Sequence, residues 1–379
     1  MTKNITIFGS TGSIGKSAIN IIKRFPQKYK VTTLVAQNSV KTLAQQANAL
    51  KPEFVIIENE KKYQELKSLI NYKCNILSGR SEIENIAKTK CDLMISAIMG
   101  FAGMVPTINA IKAGSDIAIA NKESLVCAGS IIIDLAKKHN VKLLPIDSEH
   151  NAIFQVFEQD NLDKIDDVVL TASGGPFFNS TKNFDDISVQ EALNHPKWKM
   201  GDKITIDCAT MMNKGLELIE AYYLFPIAKN KIDIIVHPQS IIHGIVNYKD
   251  GSSLAMMSLP DMKTPISYIL DYPKRIDLEG KKIDFTEIGK FEFFKPNYEK
   301  FPALTLCKKT LEVEGNSCTI LNAANEIAVA KFLSGEIKFS RIITLVEDVM
   351  NKIAHKNVNS IEEIIECDII SRKIAKKLN

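Results

Sequence analysis

The chain opens on an apolar strand that runs directly into glycines: "ITIFGSTGSIGKS" sets Gly9, Gly12 and Gly15 between a β-like run and a helix-like one. Glycines at such a turn allow a tight bend and a close backbone approach, and the helix that follows offers unpaired N–H groups to a pyrophosphate. The helix carries Ile14, Ala18, Ile21, Ile22 and Phe25 on one stripe and is stopped by Pro26. The same unit then recurs: "YKVTTLVA", a helix over 40–50, "EFVIIE", "CNILSG", "CDLMISAIMG", a helix to Lys112, "SDIAIAN", a long helix to Lys138, and "VKLLPID". These strands are continuous apolar runs, the mark of a parallel sheet covered on both faces. The chain is therefore expected to be α/β, with residues 1–147 forming a Rossmann-type parallel-sheet domain that binds a nucleotide through Gly9, Ser10, Thr11, Gly12, Ser13, Ile14 and Gly15.

With 379 residues, two or three domains are the prior. Past 147 the pattern changes. "DDVVLTAS", "KITID", "IDIIVHP", "HGIVNY" and "SSLAMMSLP" read as strands with fewer helices between them, giving a central α+β domain over 148–272. Residues 273–300, rich in Lys, Asp, Phe and Pro, read as a connecting segment, and four helical runs make 301–379 a C-terminal helical domain. The net charge of +4 is spread over many lysines without a dense basic block, so nucleic acid is not an expected partner. Seven cysteines without CxxC pairing argue against a disulfide framework. No leader is visible and no uninterrupted apolar stretch reaches the ~18 residues of a membrane span, so a cytoplasmic location and no membrane partner are expected.

Chemistry concentrates in a few peptides. In "PIDSEHN", Asp147 and Glu149 stand one residue apart where an apolar strand ends. On an extended segment both would share a face, which is costly unless a cation, a shared proton or solvent separates them. A solvated strand end is the bland alternative. "TMMNKGLELIEA" opens a helix with Asn213 and Lys214 at its start, where the dipole helps to hold a phosphate, although a cap and a solvated charge would look the same. Glu217 follows among leucines and, as a third carboxylate, would complete an all-oxygen set suited to Mg²⁺ or Mn²⁺. Ser173 lies in the glycine-rich "TASGGPFF", and His195, Trp198 and Met200 in a stretch able to cover a small ligand. The second strand ends in Gln37, Asn38 and Ser39, with no carboxylate for a ribose 2′-hydroxyl, which favours NADP over NAD.

Eight motifs in order, "GSTGSIG", "ANKESLV", "DSEHNAIFQ", "SGGPF", "HPKWKMG", "ATMMNKGLELIEA", "HPQSIIHG" and "LPDMKTPI", resemble the 1-deoxy-D-xylulose 5-phosphate reductoisomerase family, and "LNAANEIAVAKFL" extends the likeness into the tail. The resemblance implies conversion of that sugar phosphate to 2-C-methyl-D-erythritol 4-phosphate, in non-mevalonate isoprenoid synthesis, by rearrangement and reduction with NADPH and Mn²⁺, Mg²⁺ or Co²⁺. It further implies that Asp147, Glu149 and Glu217 hold the ion and that Ser148 and Lys122 contact the substrate. Ser173, Asn213 and Lys214 would hold its phosphate beside His195, with Trp198 and Met200 in a closing flap. Asn121, Lys122, Glu123 and Gly201, with Gln37 and Asn38, would meet the cofactor, and a homodimer is expected.

Two departures stand out. Cys208 occupies the position of a phosphate-binding serine, and a thiol is the weaker donor. After the second strand the family's Gly-Lys-Asn is "QNS", which removes a lysine from the 2′-phosphate site. His237 and His243 read as structural, and most cysteines as buried small hydrophobes. Two rival classes remain open on the residues alone: a thiol enzyme such as an aspartate-semialdehyde dehydrogenase, using Cys127 or Cys208, and an NADP-binding regulator without turnover. A metal-dependent enzyme is expected to lose its activity in EDTA and to regain it with Mn²⁺ or Mg²⁺; activity that survives the chelator points to the thiol enzyme.

Overall fold

The computed structural model describes residues 2–198 and 200–378, in two compact units. The first holds the residues up to Ser124 together with Ile132–Asn151 and Asp261–Gly280; the second holds Leu125–Ile131, Ala152–Pro260 and the chain from Lys281 onward.

Seven strands build the first unit: β1 (Lys3–Phe8), β2 (Tyr29–Ala36), β3 (Phe54–Ile57), β4 (Asn75–Ser78), β5 (Leu93–Ser96), β6 (Asp116–Ile119) and β7 (Leu143–Pro145). They lie in the order β4-β3-β2-β1-β5-β6-β7, and every neighbouring pair is parallel. The apolar runs are buried as that arrangement requires: Ile5, Ile7, Leu34, Ile56, Ile95 and Ile119 are all within 1% of full burial, so neither sheet face is left to solvent. The helix Ser13–Arg24 buries Ala18, Ile19, Ile21 and Ile22, and ends on Lys23 and Arg24, whose charge suits the negative end of its dipole. The strand order reverses between β1 and β5. At such a point two successive connections depart to opposite faces and leave a crevice at the carboxyl edge. The helix Lys263–Asp271, which the sequence placed in the central domain, packs on Ser13–Arg24 instead. Asp271 accepts from Lys28 Nζ at 3.0 Å and Tyr29 Oη at 3.2 Å, which anchors this returning segment.

The second unit is built on β8 (Ile165–Ala172), β9 (Ile232–Val236), β10 (Ile242–Tyr248) and β11 (Ser253–Met257), in the order β11-β10-β8-β9. Only β8 and β9 run parallel; the other pairs are antiparallel, the mixed sheet expected of this region. The four helical runs of the tail form Pro302–Val313, Ser317–Leu333, Arg341–Lys352 and Ile361–Lys377. They share one hydrophobic core with the central sheet, through residues such as Leu170, Leu216, Ile219, Leu304, Leu321 and Val346. Ser317–Leu333 is buried on nearly every side, which explains why its sequence shows so little polar face. One expectation fails: "KITID" is not a strand but part of the helix Asp202–Ala209. Its alternating β-branched residues read as β, yet Gly201 starts a helix there and Thr205 Oγ1 donates back to the Gly201 carbonyl at 2.9 Å. Among the described residues no helix is long and apolar enough to cross a membrane.

Phe339 sits at the meeting of three rings, Phe177, Phe184 and Phe332, at centroid separations of 5.3, 5.2 and 5.5 Å. Phe339→Ala is expected to lower the unfolding free energy of this unit by about 3–5 kcal/mol, read from chemical denaturation.

Candidate active site

The first unit's chemistry gathers at the carboxyl edge of its sheet. Gly9 has φ +85°, and a Cβ there would lie 2.2 Å from the Ala97 carbonyl oxygen, at the end of β5. A Cβ on Gly15 would lie 2.5 Å from the Gly9 carbonyl. Both positions exclude any side chain, and the loop closes on itself beside the crevice. The backbone N–H groups of Gly9 and Ser10 donate to the Val35 carbonyl at 3.0 and 2.9 Å, holding the turn against β2. Gly12 begins the helix without a side-chain cap, and no acid occupies the first turn. That leaves N–H groups and positive dipole for an anion, as a pyrophosphate requires.

Two neighbouring strands, β6 and β7, deliver the charged residues. Asn121 caps the helix Lys122–His139 through Ser124 N–H (2.9 Å), and its amide donates to the Ile98 and Gly100 carbonyls at 2.7 and 2.8 Å. Its side chain thus ties the loop after β5 to the start of this helix. Lys122, the first helical residue, is buried and sets its ammonium 2.6 Å from Asp147, which follows β7. The acids do not share the face of an extended segment, as the sequence suggested. Ser148–Val156 is a helix, so Glu149 lies in its first turn while Asp147 precedes it. Ser148 Oγ donates to Glu149 at 2.5 Å. Burial alone would push the Asp147 carboxyl up, but Lys122, the adjacent His150 and a hydrogen bond with Glu149 together hold it well below the usual carboxylate range. His150 is fully buried beside this acid; the sequence reading passed it over because a histidine inside a helix has no distinctive spacing.

The second unit holds the remaining candidates. After β8, Ser173 leads into Gly174 and Gly175 at φ +83° and +67°. A Cβ on Gly175 would lie 2.6 Å from the Cys208 carbonyl, so this loop presses on the end of the helix Asp202–Ala209. Cys208 is half-buried and not disulfide-bonded. His195 Nδ1 accepts from the backbone N–H of Lys197 and Trp198 at 3.2 and 3.0 Å. The neutral ring must then carry its proton on Nε2, which faces Ser173 Oγ at 3.1 Å. Ser173 Oγ also accepts from Gly175 N–H at 3.2 Å, which leaves its own proton to donate outward. Trp198 lies 6.4 Å from the His243 ring, and His243 Nε2 meets Ser258. Met200 is half-buried; Lys199 of the expected flap lies outside the described residues.

At the start of the helix Met212–Leu224, Asn213 Nδ2 and Lys214 Nζ both donate to the carboxylate of Glu217. All three are buried, so Glu217 is not the surface residue that its leucine neighbours allowed. Cys127, the rival nucleophile, is buried within its helix, whose carbonyl at that residue accepts from Thr319 Oγ1. His237 is wholly buried, stacked on Phe293, and bonded through Nδ1 to the Glu292 carbonyl, a structural setting.

A doubly wound parallel sheet with a glycine-lined first turn, and acids and a lysine on the same carboxyl edge, defines a nucleotide-binding α/β protein. Comparison with known proteins narrows this further. Residues 5–129 match the 1-deoxy-D-xylulose 5-phosphate reductoisomerase family, residues 143–225 that reductoisomerase's C-terminal domain, and residues 257–374 the DXP reductoisomerase C-terminal domain. The chain is 46% identical to the 1-deoxy-D-xylulose 5-phosphate reductoisomerase of Chloroherpeton thalassium, over 98% of this chain and 97% of that protein. It is 45% identical to that of Geotalea uraniireducens, over 99% and 98%. The solved Zymomonas mobilis enzyme in complex with NADPH superposes with a TM-score of 0.92 at 40% identity, covering 99% of this chain and 98% of that one. A DOX-P reductoisomerase in complex with NADPH, fosmidomycin and magnesium gives 0.93 at 39%, covering 99% and 97%. The chain belongs to the 1-deoxy-D-xylulose 5-phosphate reductoisomerase family.

Burial holds the His195 imidazole below its ordinary value of 6.5. A lowered folded-state value contributes stability above pH 6.5 that is lost as the pH falls through the lowered value. The NMR titration midpoint of His195 is therefore expected below 6.5 in the folded protein and near 6.5 in urea.

Proposed function

We propose that this chain converts 1-deoxy-D-xylulose 5-phosphate to 2-C-methyl-D-erythritol 4-phosphate, with NADPH as reductant and Mg²⁺, Mn²⁺ or Co²⁺ as the required ion. Family membership over nearly the whole chain supports the reaction. The observation that carries the reading is the cluster Lys122, Asp147, Ser148 and Glu149, on the same sheet edge as a turn from which side chains are excluded.

The residues suit both groups. Gly9 and Gly15 let the first turn close tightly on its own backbone and on the end of β5, beside the uncapped start of a helix. Asp147 stays ionised in a buried setting, and carboxylate oxygens without cysteine are the donors a hard divalent cation takes. Asp147, Glu149 and Glu217 would hold the ion, and Gly9–Gly15, Gln37, Asn38, Asn121, Lys122, Glu123 and Gly201 would meet the cofactor. When bound, the ion draws electron density from the sugar's carbonyl and hydroxyl oxygens, and NADPH supplies the hydride.

This chain's own groups do the positioning. Lys122 keeps Asp147 charged and presents an N–H donor beside it, and Ser148 is placed to meet a substrate hydroxyl. Ser173, with two hydrogen bonds arriving at its oxygen, turns its proton toward the phosphate next to His195. Asn213 and Lys214 add a neutral donor and a cationic one at a helix start, with the Cys208 thiol as a weaker neighbour. Trp198 and Met200 would cover the reacting sugar and exclude water. A homodimer and a cytoplasmic location belong to the same reading. Leu254 and Met257, exposed on the outer strand β11, support the former, and seven cysteines without a disulfide support the latter.

Glu149→Gln keeps the shape of the site and removes one charge. Turnover is expected to fall by roughly 10²–10⁴-fold, while the NADPH dissociation constant, read by fluorescence quenching, changes less than about twofold. A mutant with near-normal turnover would remove Glu149 from the ion's ligands.

A further inference from the structure

The end of β2 carries the three residues, Gln37, Asn38 and Ser39, that stand where this chain lacks a lysine for a nucleotide 2′-phosphate. Asn38 is exposed, and its side-chain oxygen accepts from Asn59 Nδ2 at 2.8 Å. Asn59 follows β3, the strand beside β2. Its own oxygen accepts from the backbone N–H of Lys61 at 3.1 Å.

These two bonds form a directional chain. A backbone N–H can only donate, so Asn59 must turn its oxygen to Lys61 and its NH₂ to Asn38. Asn38 must then turn its oxygen to Asn59. Its NH₂ group, which bonds no described residue, is left as the outward face. The backbone supports the geometry on both sides: Glu58 N–H donates to the Ala36 carbonyl at 2.9 Å, and Asn59 N–H to the Gln37 carbonyl at 3.1 Å.

The surroundings favour an anion at that face. Ser39 begins the helix Val40–Leu50 without spending its hydroxyl on a cap, and no acid lies in the first turn. Of the two acids that flank Asn59, Glu58 lies 3.7 Å from Arg80, and the carboxylate of the exposed Glu60 lies against Gly79, after β4. An amide that presents NH₂ suits the acceptor oxygens of a phosphate. The same amide reversed would present an oxygen, which suits the donor of a 2′-hydroxyl.

We infer that Asn59 is a specificity-determining residue: by fixing the orientation of Asn38, it makes the adenosine pocket select a 2′-phosphate over a 2′-hydroxyl without a lysine. The inference rests on the reading that Asn38 meets the cofactor's 2′ position. Asn59 itself acts through Asn38 and is a positioning residue.

The test uses the full-length protein, with adenosine 2′,5′-bisphosphate and AMP as probes and calorimetric dissociation constants as the readout. Asn59→Ala frees the Asn38 amide and is expected to lower the preference for the bisphosphate by about 3–5-fold, with AMP binding unchanged. Asn59→Asp can still accept from Lys61 N–H, but it forces Asn38 to donate to it and to turn its oxygen outward. It is expected to lower the preference by about 10-fold or more and to tighten AMP binding, whereas added negative charge alone would not tighten binding of the anionic AMP. In an Asn38→Ala background, Asn59→Ala is expected to change nothing further. An unaltered preference in both Asn59 variants, where Asn38→Ala does lower it, overturns the inference and leaves the reading of Asn38 standing. An Asn59→Ala effect that persists in full without Asn38 also overturns it. If Asn38→Ala itself leaves the preference at the wild-type level, the reading of Asn38 falls and takes the inference with it. AMP binding serves as the check that each variant is folded.

Discussion

At Gly9 the chain has room for a hydrogen atom and nothing larger, because the Ala97 carbonyl would stand 2.2 Å from any Cβ. That contact joins the first turn to the end of β5 at the place where the strand order reverses. A parallel sheet sends all its βα turns to one edge, so the glycine loop, the β2 end, Lys122 and the Asp147 helix all open on the same side of the first unit. A larger residue at Gly9 would separate β1 from β5 and carry the anion-ready helix start away from the other loops.

Charge at that edge is arranged for chemistry rather than for stability. Burying Lys122 against Asp147, or Lys214 against Glu217, gains little over an apolar packing of the same volume, because desolvation offsets most of the attraction. What the pairs do provide is a fixed orientation. Asp147 is kept ionised where burial would otherwise neutralise it, and Glu217 has both carboxylate oxygens directed by named donors. The hydrogen bonds that set the His195 tautomer and leave a Ser173 proton to donate are of the same kind: backbone N–H groups decide the polarity of a side chain several atoms away.

Local pattern misleads at three places in the chain. "KITID" has the alternation of a strand, yet Gly201 and a hydroxyl-to-carbonyl bond from Thr205 place it in a helix. Asp147 and Glu149 do not share a strand face: the strand ends before them and a helical turn brings them together. The helix Lys263–Asp271 belongs with the first unit because Asp271 meets Lys28 and Tyr29, more than two hundred residues earlier in the chain. In the first two cases the deciding contact lies within a helical turn, and only in the third is it remote in sequence.

The parallel sheet, the anion-ready first turn, the helical tail and the family were legible in the chain itself. Each depends on period, on glycine spacing or on a run of motifs, all of them local properties. The folded structure alone decided how buried Glu217 is, which proton the His195 ring carries, that His150 stands beside Asp147, and which way the Asn38 amide faces. Those outcomes depend on where neighbouring strands end and which backbone groups they leave free. Hydrogen bonding at the end of an element is set by the adjacent chain in space, and a linear sequence does not state which chain that is.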